Sequence, residues 1–121
     1  MKKYIFIVSL LCLLAACTGK RQGEAAAKVA ALPAVEDVVM YQVNPRVFAP
    51  EKSFKAVERR LDSIQTLGIN VVWFMPINEV GQEKSVNSPY CVKDYKGVNP
   101  EFGTLDEFKA LVATRHQKGM N

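Results

Sequence analysis

The chain has 121 residues, of which 49% are hydrophobic, 9% aromatic and 23% charged, with six prolines, seven glycines and three cysteines. These proportions are typical of a globular chain, and they exclude a disordered chain, a collagen and a disulfide-stapled miniprotein. The formal net charge is +4, but the charges are dispersed with no run of five or six of one sign, which excludes a nucleic-acid-binding role.

The first sixteen residues have the three-part pattern of a secretory signal peptide. Lys2 and Lys3 precede an apolar run of eleven residues, Tyr4 to Leu14, in which Ser9 is the clearly polar residue. A membrane-spanning helix needs about 20 apolar residues, so this run is too short for a permanent span. Residues 1–16 are therefore predicted to be a signal peptide, and its removal takes two lysines and lowers the net charge from +4 to +2.

A cysteine follows the small residues that end this pattern. The segment Leu14-Ala15-Ala16-Cys17 resembles the bacterial lipobox, in which a signal peptidase cuts before a cysteine that then carries lipid. Cys17 is therefore the predicted lipidation site; the alternative is an ordinary signal peptide that contains a cysteine. We expect an exported lipoprotein of the cell envelope. Thr18 is not the aspartate that retains some lipoproteins at the inner membrane, which favours the outer membrane.

Residues 17–36 are interpreted as the lipidated cysteine and a tether. The stretch is polar and alanine-rich, and Glu24 and Lys28 have the spacing that supports a helical turn. It contains no aromatic, histidine or glycine-rich feature that could hold a ligand. We expect it to act as a spacer between the membrane and a folded part that begins at residue 37.

Two parallel strands joined by a helix are predicted next. Val38 to Val43 is a short apolar run, interpreted as a buried strand that ends in a turn at Asn44-Pro45. Ser53 is predicted to cap an amphipathic helix that Gly68 ends, with apolar positions at Phe54, Val57, Leu61, Ile64 and Leu67. Val71 to Pro76 is apolar at every position, which predicts a parallel strand covered on both faces.

A second helix is predicted after a capping box. Thr104 and Glu107 have the spacing at which each side chain satisfies an unpaired amide of the first helical turn. The apolar face of this helix is predicted from Leu105, Phe108, Leu111 and Val112. Gly119 ends it, and Met120 and Asn121 are expected to begin a third strand.

The connection between the second strand and this helix is unusually long. Ile77 to Gly103 covers 27 residues without helical or alternating periodicity. Ordinary connections of this kind have about 2 to 6 residues, so a longer one is usually functional. It also leaves the carboxyl end of a parallel strand, where α/β folds bind their ligands. Any functional site is therefore predicted in this loop.

Several segments, taken in their order along the chain, resemble a known family. They are Tyr41–Phe48, Leu67–Pro76, Tyr90–Lys109, Leu111-Val112 and His116–Met120. Together they resemble the start of the catalytic domain of α-amylases, glycoside hydrolase family 13. The resemblance implies that residues 37–121 form the first two βα units of a TIM (β/α)8 barrel that is incomplete in this chain. Periodicity alone supports only a parallel α/β fold.

The resemblance also implies a function for a longer protein. The family acts with retention on α-linked glucose chains, so the expected substrate is an α-glucan or maltooligosaccharide, and the expected process is degradation of starch or maltodextrin at the cell envelope. Its catalytic carboxylates lie on the fourth, fifth and seventh strands, and this chain ends at the start of the third. We therefore expect no catalytic residue here and no activity of the chain alone. The family's Asp-x-x-x-Asn-His block, which helps to bind calcium, is also absent, so no cofactor or metal site is expected in this chain and calcium is possible only in a longer one.

Two loop residues are candidates for substrate binding. The resemblance implies that Tyr90 stacks beneath a glucose ring, where an aromatic face covers the apolar C–H surface of a sugar. The alternative is a tyrosine that packs on the barrel rim, because Pro89-Tyr90-Cys91 departs from the Gly-Tyr-Asp or Gly-Tyr-Trp of many members. Asp94 is expected to orient the loop by hydrogen bonds to backbone amides, with direct sugar contact as its second possible role.

Three further residues are interpreted as structural. His116, the single histidine, is expected near a helix end where it favours the helix dipole. Trp73 is expected in the core, and Cys91 is interpreted as a thiol without a role.

Two other functions stay open: a noncatalytic glycan-binding or envelope lipoprotein derived from the same barrel, and another α/β barrel enzyme acting on phosphorylated sugars. No glycine-rich phosphate cradle supports the latter.

Overall fold

The computed structural model describes residues 31–121. The predicted signal peptide, Cys17 and most of the tether lie outside these residues. A short 3-10 helix at Val35–Asp37 is followed by strand β1 (Met40–Val43), helix α1 (Pro45–Phe48), helix α2 (Ser53–Thr66), strand β2 (Val71–Phe74) and helix α3 (Leu105–Gln117). Within the described range, no helix has both the length and the apolar character needed to cross a membrane.

The two strands form a parallel sheet. Met40 pairs with Val71 and Val43 with Phe74, and α2 connects the strands. On the other edge of β2, the amide of Asn121 donates to the carbonyl oxygen of Asn70 at 2.8 Å, and the carbonyl of Asn121 accepts from the Val72 amide at 2.6 Å. This is a parallel ladder pattern, so the predicted parallel βαβα order is confirmed and Asn121 lies where the third strand is expected.

The helices cover one face of this sheet and enclose the core. The buried apolar residues are Val43, Phe54, Val57, Leu61, Ile64, Val72, Phe102, Leu111 and Met120. Within this core the ring of Phe54 lies 5.0 Å from that of Phe108 and 6.2 Å from that of Phe102, measured between centroids. The apolar face predicted for α2 is thus confirmed at four of its five positions. Leu67 is 70% exposed because it follows the last helical turn, where Gly68 at φ 80° reverses the chain.

The prediction that Val71 to Pro76 is covered on both faces is wrong for the described residues, and β1, interpreted as a buried strand, is buried only at Val43. Side chains alternate along a strand, so Val43 and Val72 point to the helices while Met40 and Trp73 point the other way. No element among residues 31–121 covers that second face, and Trp73, predicted to be core, is 55% exposed.

The connection between β1 and α2 also differs from its prediction. The expected turn at Asn44-Pro45 begins the four-residue helix α1, because Asn44 Oδ1 accepts a hydrogen bond from the Arg46 amide at 3.1 Å and proline suits a first helical position. Ser53 does not cap α2 but is its first residue, after Lys52 in a left-handed conformation at φ 51°. The buried Ser53 hydroxyl instead donates to the Pro45 carbonyl oxygen at 2.6 Å, which ties α1 to α2.

The capping box of α3 is confirmed. Thr104 Oγ1 accepts from the Glu107 amide at 3.2 Å, and Glu107 Oε2 accepts from the Thr104 amide at 2.8 Å. A hydrogen bond from Lys55, at 2.9 Å from Glu107 Oε1, and the bond from the Thr104 amide lower the pKa of Glu107, so this group stays a carboxylate. Leu105, predicted on the apolar face, is exposed instead because it begins the helix beside this polar cap. Gly119 ends the segment at φ 73° as predicted.

We predict that Thr104→Ala lowers the free energy of unfolding by about 1 kcal/mol, because the Glu107 amide loses its acceptor. Thr104→Ser keeps the hydroxyl and is the matched control, with stability close to that of the original chain. Urea denaturation followed by circular dichroism measures all three. Equal stability of the alanine and serine variants would contradict a stabilising role for the cap.

Candidate functional site

The candidate site is the long loop that follows β2. Its two ends are held together at the carboxyl end of that strand, since the Asn99 amide donates to the Ile77 carbonyl oxygen at 2.8 Å. The side-chain amide of Asn78 crosses the loop and donates to the carbonyl oxygens of Gly97 at 2.7 Å and Asp94 at 3.2 Å. The loop is therefore closed at its base, at the edge of the sheet where the sequence predicted a site.

Above this base, the two limbs of the loop pair with each other. Val80 and Val92 form an isolated antiparallel bridge. The Gly81 amide donates to the Cys91 carbonyl oxygen at 2.7 Å, and the Lys93 amide donates to that of Glu79 at 2.8 Å. These bonds give a segment without regular secondary structure a defined shape, and they bring residues 82–90 to its tip.

Tyr90 lies where the second limb leaves this tip. Its side chain is 65% exposed and lines an open depression together with Met40, Gln42 and Trp73 from the uncovered face of the sheet. A second depression beside it is again lined by Trp73 and Tyr90, and by Tyr95. The structure thus brings the sequence-predicted Tyr90 next to an exposed indole, which the sequence placed in the core.

Asp94 has the backbone contact expected of it. Its Oδ1 accepts a hydrogen bond from the Lys96 amide at 2.8 Å, while its backbone carbonyl accepts from Asn78. Both bonds shape the limb that returns from Tyr90 to the base of the loop. The second possible role of Asp94, direct contact with a sugar, stays a prediction.

His116 lies far along the chain from this loop and at the other end of the sheet. It is in the last turn of α3. The chain after this helix leads to Asn121, which pairs with Asn70 just before β2, so His116 lies toward the beginning of β2 rather than its end. Burial and the neighbouring charge of Arg115 lower the pKa of His116, so it is mostly neutral at pH 7. Its position near the helix end is as predicted, but it supplies little charge to the dipole there.

An ion pair and a free thiol lie on the two limbs of the loop. Glu79 and Lys93 form an ion pair at 2.9 Å, and Cys91 is a free, exposed thiol. Across residues 31–121, no three histidine, cysteine or acidic side chains come together as a metal ion would require.

One residue of the site was missed from the sequence. Arg46 on α1 donates from Nη1 to the carbonyl oxygen of Asn87 at 2.9 Å, and so reaches the tip of the loop from the end of β1. Arg46 is part of the first segment that resembles the family, but a backbone acceptor 41 residues away leaves no signal in the sequence.

Comparison with known proteins gives consistent similarities. Residues 51–121 match the family model described as "Alpha amylase, catalytic domain". The chain is 31% identical over 90 residues to an oligo-1,6-glucosidase of Halalkalibacterium halodurans, which covers 70% of this chain and 16% of that protein. It is 35% identical over 86 residues to an amino acid transporter heavy chain of Homo sapiens, covering 67% of this chain and 12% of that protein.

A solved structure gives the same result for the fold. The crystal structure of a maltogenic alpha-amylase from Thermotoga neapolitana superposes with a TM-score of 0.67 at 32% identity, over 71% of this chain and 22% of that one. The chain therefore spans about a sixth of the first relative and about a fifth of this structure.

Proposed function

This chain belongs to the α-amylase catalytic-domain family, and we propose that it is the amino-terminal part of a retaining α-glucan hydrolase in which Tyr90 binds a glucose unit of the substrate. Its two βα units are the first two of a TIM (β/α)8 barrel, in which sites lie at the carboxyl ends of the strands. The observation that carries the proposal is the exposed ring of Tyr90, held by a closed loop at that end.

The chemistry of this position favours a sugar. An aromatic ring can cover the apolar C–H face of a pyranose without needing a charge. In this chain the side chains of Trp73 and Gln42 line the same depression as Tyr90. The names of the two enzymes compared above, an oligo-1,6-glucosidase and a maltogenic amylase, agree with an α-glucan or maltooligosaccharide as the ligand.

We further propose that the 121-residue chain does not hydrolyse glucans by itself. A retaining mechanism needs two carboxyl groups about 5 Å apart, one as the nucleophile and one as a protonated acid. Asp94 and Glu79 are bound within the loop, and the lowered pKa of Glu107 is the opposite of what a general acid requires. By family resemblance, the reacting carboxylates belong to later strands of a longer chain, and a calcium site would belong to that chain as well.

A noncatalytic role is the second candidate. One relative compared above is, by its name, an amino acid transporter heavy chain, so the same region of sequence also occurs in a protein that is not named as an enzyme. In that case this chain would be a glycan-binding or envelope protein built on the same barrel. Sugar binding by Tyr90 without hydrolysis in the full-length product of the gene would favour this candidate.

For location, we propose an exported lipoprotein of the cell envelope with its lipid in the outer membrane. The support is the sequence Leu14-Ala15-Ala16-Cys17-Thr18 after a short apolar run. The folded part would then face its substrate at the end of the tether.

We predict that maltohexaose binding depends on the ring of Tyr90. Tyr90→Ala should weaken binding by about fivefold, because ring contacts contribute on the order of 1 kcal/mol, whereas Tyr90→Phe keeps the ring and should bind nearly as the original chain does. Trp73 is the only tryptophan and lies in the same depression, so its fluorescence reports the titration. Equal affinity of the alanine variant and the original chain would contradict the proposed role of Tyr90.

We predict no release of reducing sugar from soluble starch by the purified 121-residue chain. An active α-amylase assayed beside it is the positive control, and a blank without protein sets the background. Release above that background would contradict the assignment of both carboxylates to later strands.

We predict that radiolabelled fatty acid enters the chain through Cys17 in bacterial cells. Cys17→Ala should abolish the label, whereas Cys12→Ala, a matched change within the predicted signal peptide, should keep it. If the Cys17 variant is labelled as strongly as the original chain, Cys17 is not the lipidation site, and the segment is an ordinary signal peptide.

A further inference from the structure

The tip of the Tyr90 loop contains unusual backbone conformations. Lys84, Val86 and Asn87 have φ angles of 53°, 45° and 59°, in the left-handed region that non-glycine residues rarely adopt. The branched side chain of Val86 makes its conformation the least favourable of the three, and this side chain is 94% exposed, so burial does not compensate. Such conformations persist where surrounding contacts impose them.

A single hydrogen bond joins this part of the loop to the remainder of the described chain. Among residues 31–121, the segment 78–98 makes one hydrogen bond to a residue outside the loop. Arg46 Nη1 donates it to the Asn87 carbonyl oxygen at 2.9 Å. Its acceptor belongs to one of the three left-handed residues. The contact therefore acts on the residue that directly follows Val86, within the left-handed tip of the loop.

Arg46 is itself well placed to hold this bond. Its amide is bound by Asn44 Oδ1, and the preceding Pro45 has a restricted φ and a buried carbonyl that accepts from the Ser53 hydroxyl. Helix α1 is thus fixed to the end of β1 and to the start of α2. The guanidinium therefore extends to the loop from a backbone that the core positions.

A series of hydrogen bonds leads from this contact to Tyr90. The Asn87 amide donates to Ser85 Oγ at 3.3 Å, and the Ser88 amide donates to the Ser85 carbonyl oxygen at 2.9 Å. Ser88 Oγ then accepts from the Tyr90 amide at 3.3 Å. Ser85 is buried, and both Asn87 and Ser88 are hydrogen-bonded to it. A displacement of Asn87 would therefore be transmitted through Ser88 to Tyr90.

We propose that Arg46 is a positioning residue, which holds the left-handed tip of the loop through the Asn87 carbonyl and thereby sets the position of the Tyr90 ring. The effect on sugar binding rests on the role proposed above for Tyr90, whereas the effect on the loop does not. Arg46 touches no substrate in this arrangement and acts through the backbone.

Hydrogen exchange of the 121-residue chain tests the effect on the loop. Arg46→Met keeps the length of the side chain without its donors, and the amides of Ser88 and Cys91 should then exchange about three- to tenfold faster, the range expected for loss of one hydrogen bond. Arg46→Lys keeps a cationic donor and should restore most of the protection. The amide of Leu61 in α2 is the internal reference. Unchanged exchange in the loop, or an equal increase at Leu61, would overturn the proposal.

Titration with maltohexaose, followed by the fluorescence of Trp73, tests the effect on Tyr90. Arg46→Met should raise the dissociation constant severalfold, and Arg46→Lys should recover the affinity. Original affinity in Arg46→Met, together with faster loop exchange, would overturn the link from Arg46 to Tyr90. Failure of the unmodified chain to bind maltohexaose would instead contradict the proposed sugar role, and the exchange data would still decide whether Arg46 holds the loop.

Discussion

Parallel pairing of β1 with β2 is the constraint on which the other features of the molecule depend. Two parallel strands cannot be joined by a tight turn, so the chain must return along the sheet, and it does so through α2. The same pairing places the carboxyl ends of both strands at one edge. Helix α1 leaves β1 there and the long loop leaves β2 there, so Arg46 and Asn87, 41 residues apart, come within hydrogen-bonding distance.

The single layer of helices explains both the core and the exposed face. Phe54, Leu61 and Leu111 fill the space between helices and sheet, and the side chains that alternate with Val43 and Val72 have no cover among the described residues. In a (β/α)8 barrel, that second face is the one that points to the interior and is packed by the other strands. The exposed Trp73 and Met40 are therefore what two βα units of such a barrel present when they are seen without the remaining strands.

The sequence predicted best where the interaction is local. The capping box of Thr104 and Glu107 spans three residues and the apolar face of α2 repeats within one helix, so both could be found from spacing. The exposure of Trp73 could not be predicted, because a strand with apolar residues at every position has the same sequence whether its second face is covered or exposed. The helix at Pro45 and the bond from Ser53 to the Pro45 carbonyl were also missed, since a serine before a helix resembles a cap whichever acceptor its hydroxyl finds. The sequence predicted a long loop at the carboxyl end of β2, and the structure places Tyr90 there with its ring exposed, but the contact of the loop with Arg46 was not predicted.

The arrangement of this loop bears on two requirements of the sugar binding proposed for Tyr90. A ring that stacks on a pyranose must be exposed, and an exposed side chain gains little positioning from packing. Tyr90 meets the first requirement with 65% of its side chain accessible, so its position has to come from the backbone on either side of it. The limb after it is fixed by the Cys91 carbonyl and by Asp94, and the limb before it by Ser88 and, through Asn87, by Arg46. Backbone hydrogen bonds thus take over the role that a hydrophobic core has for a buried aromatic residue, which explains why a loop of 27 residues without regular secondary structure is so extensively bonded to itself.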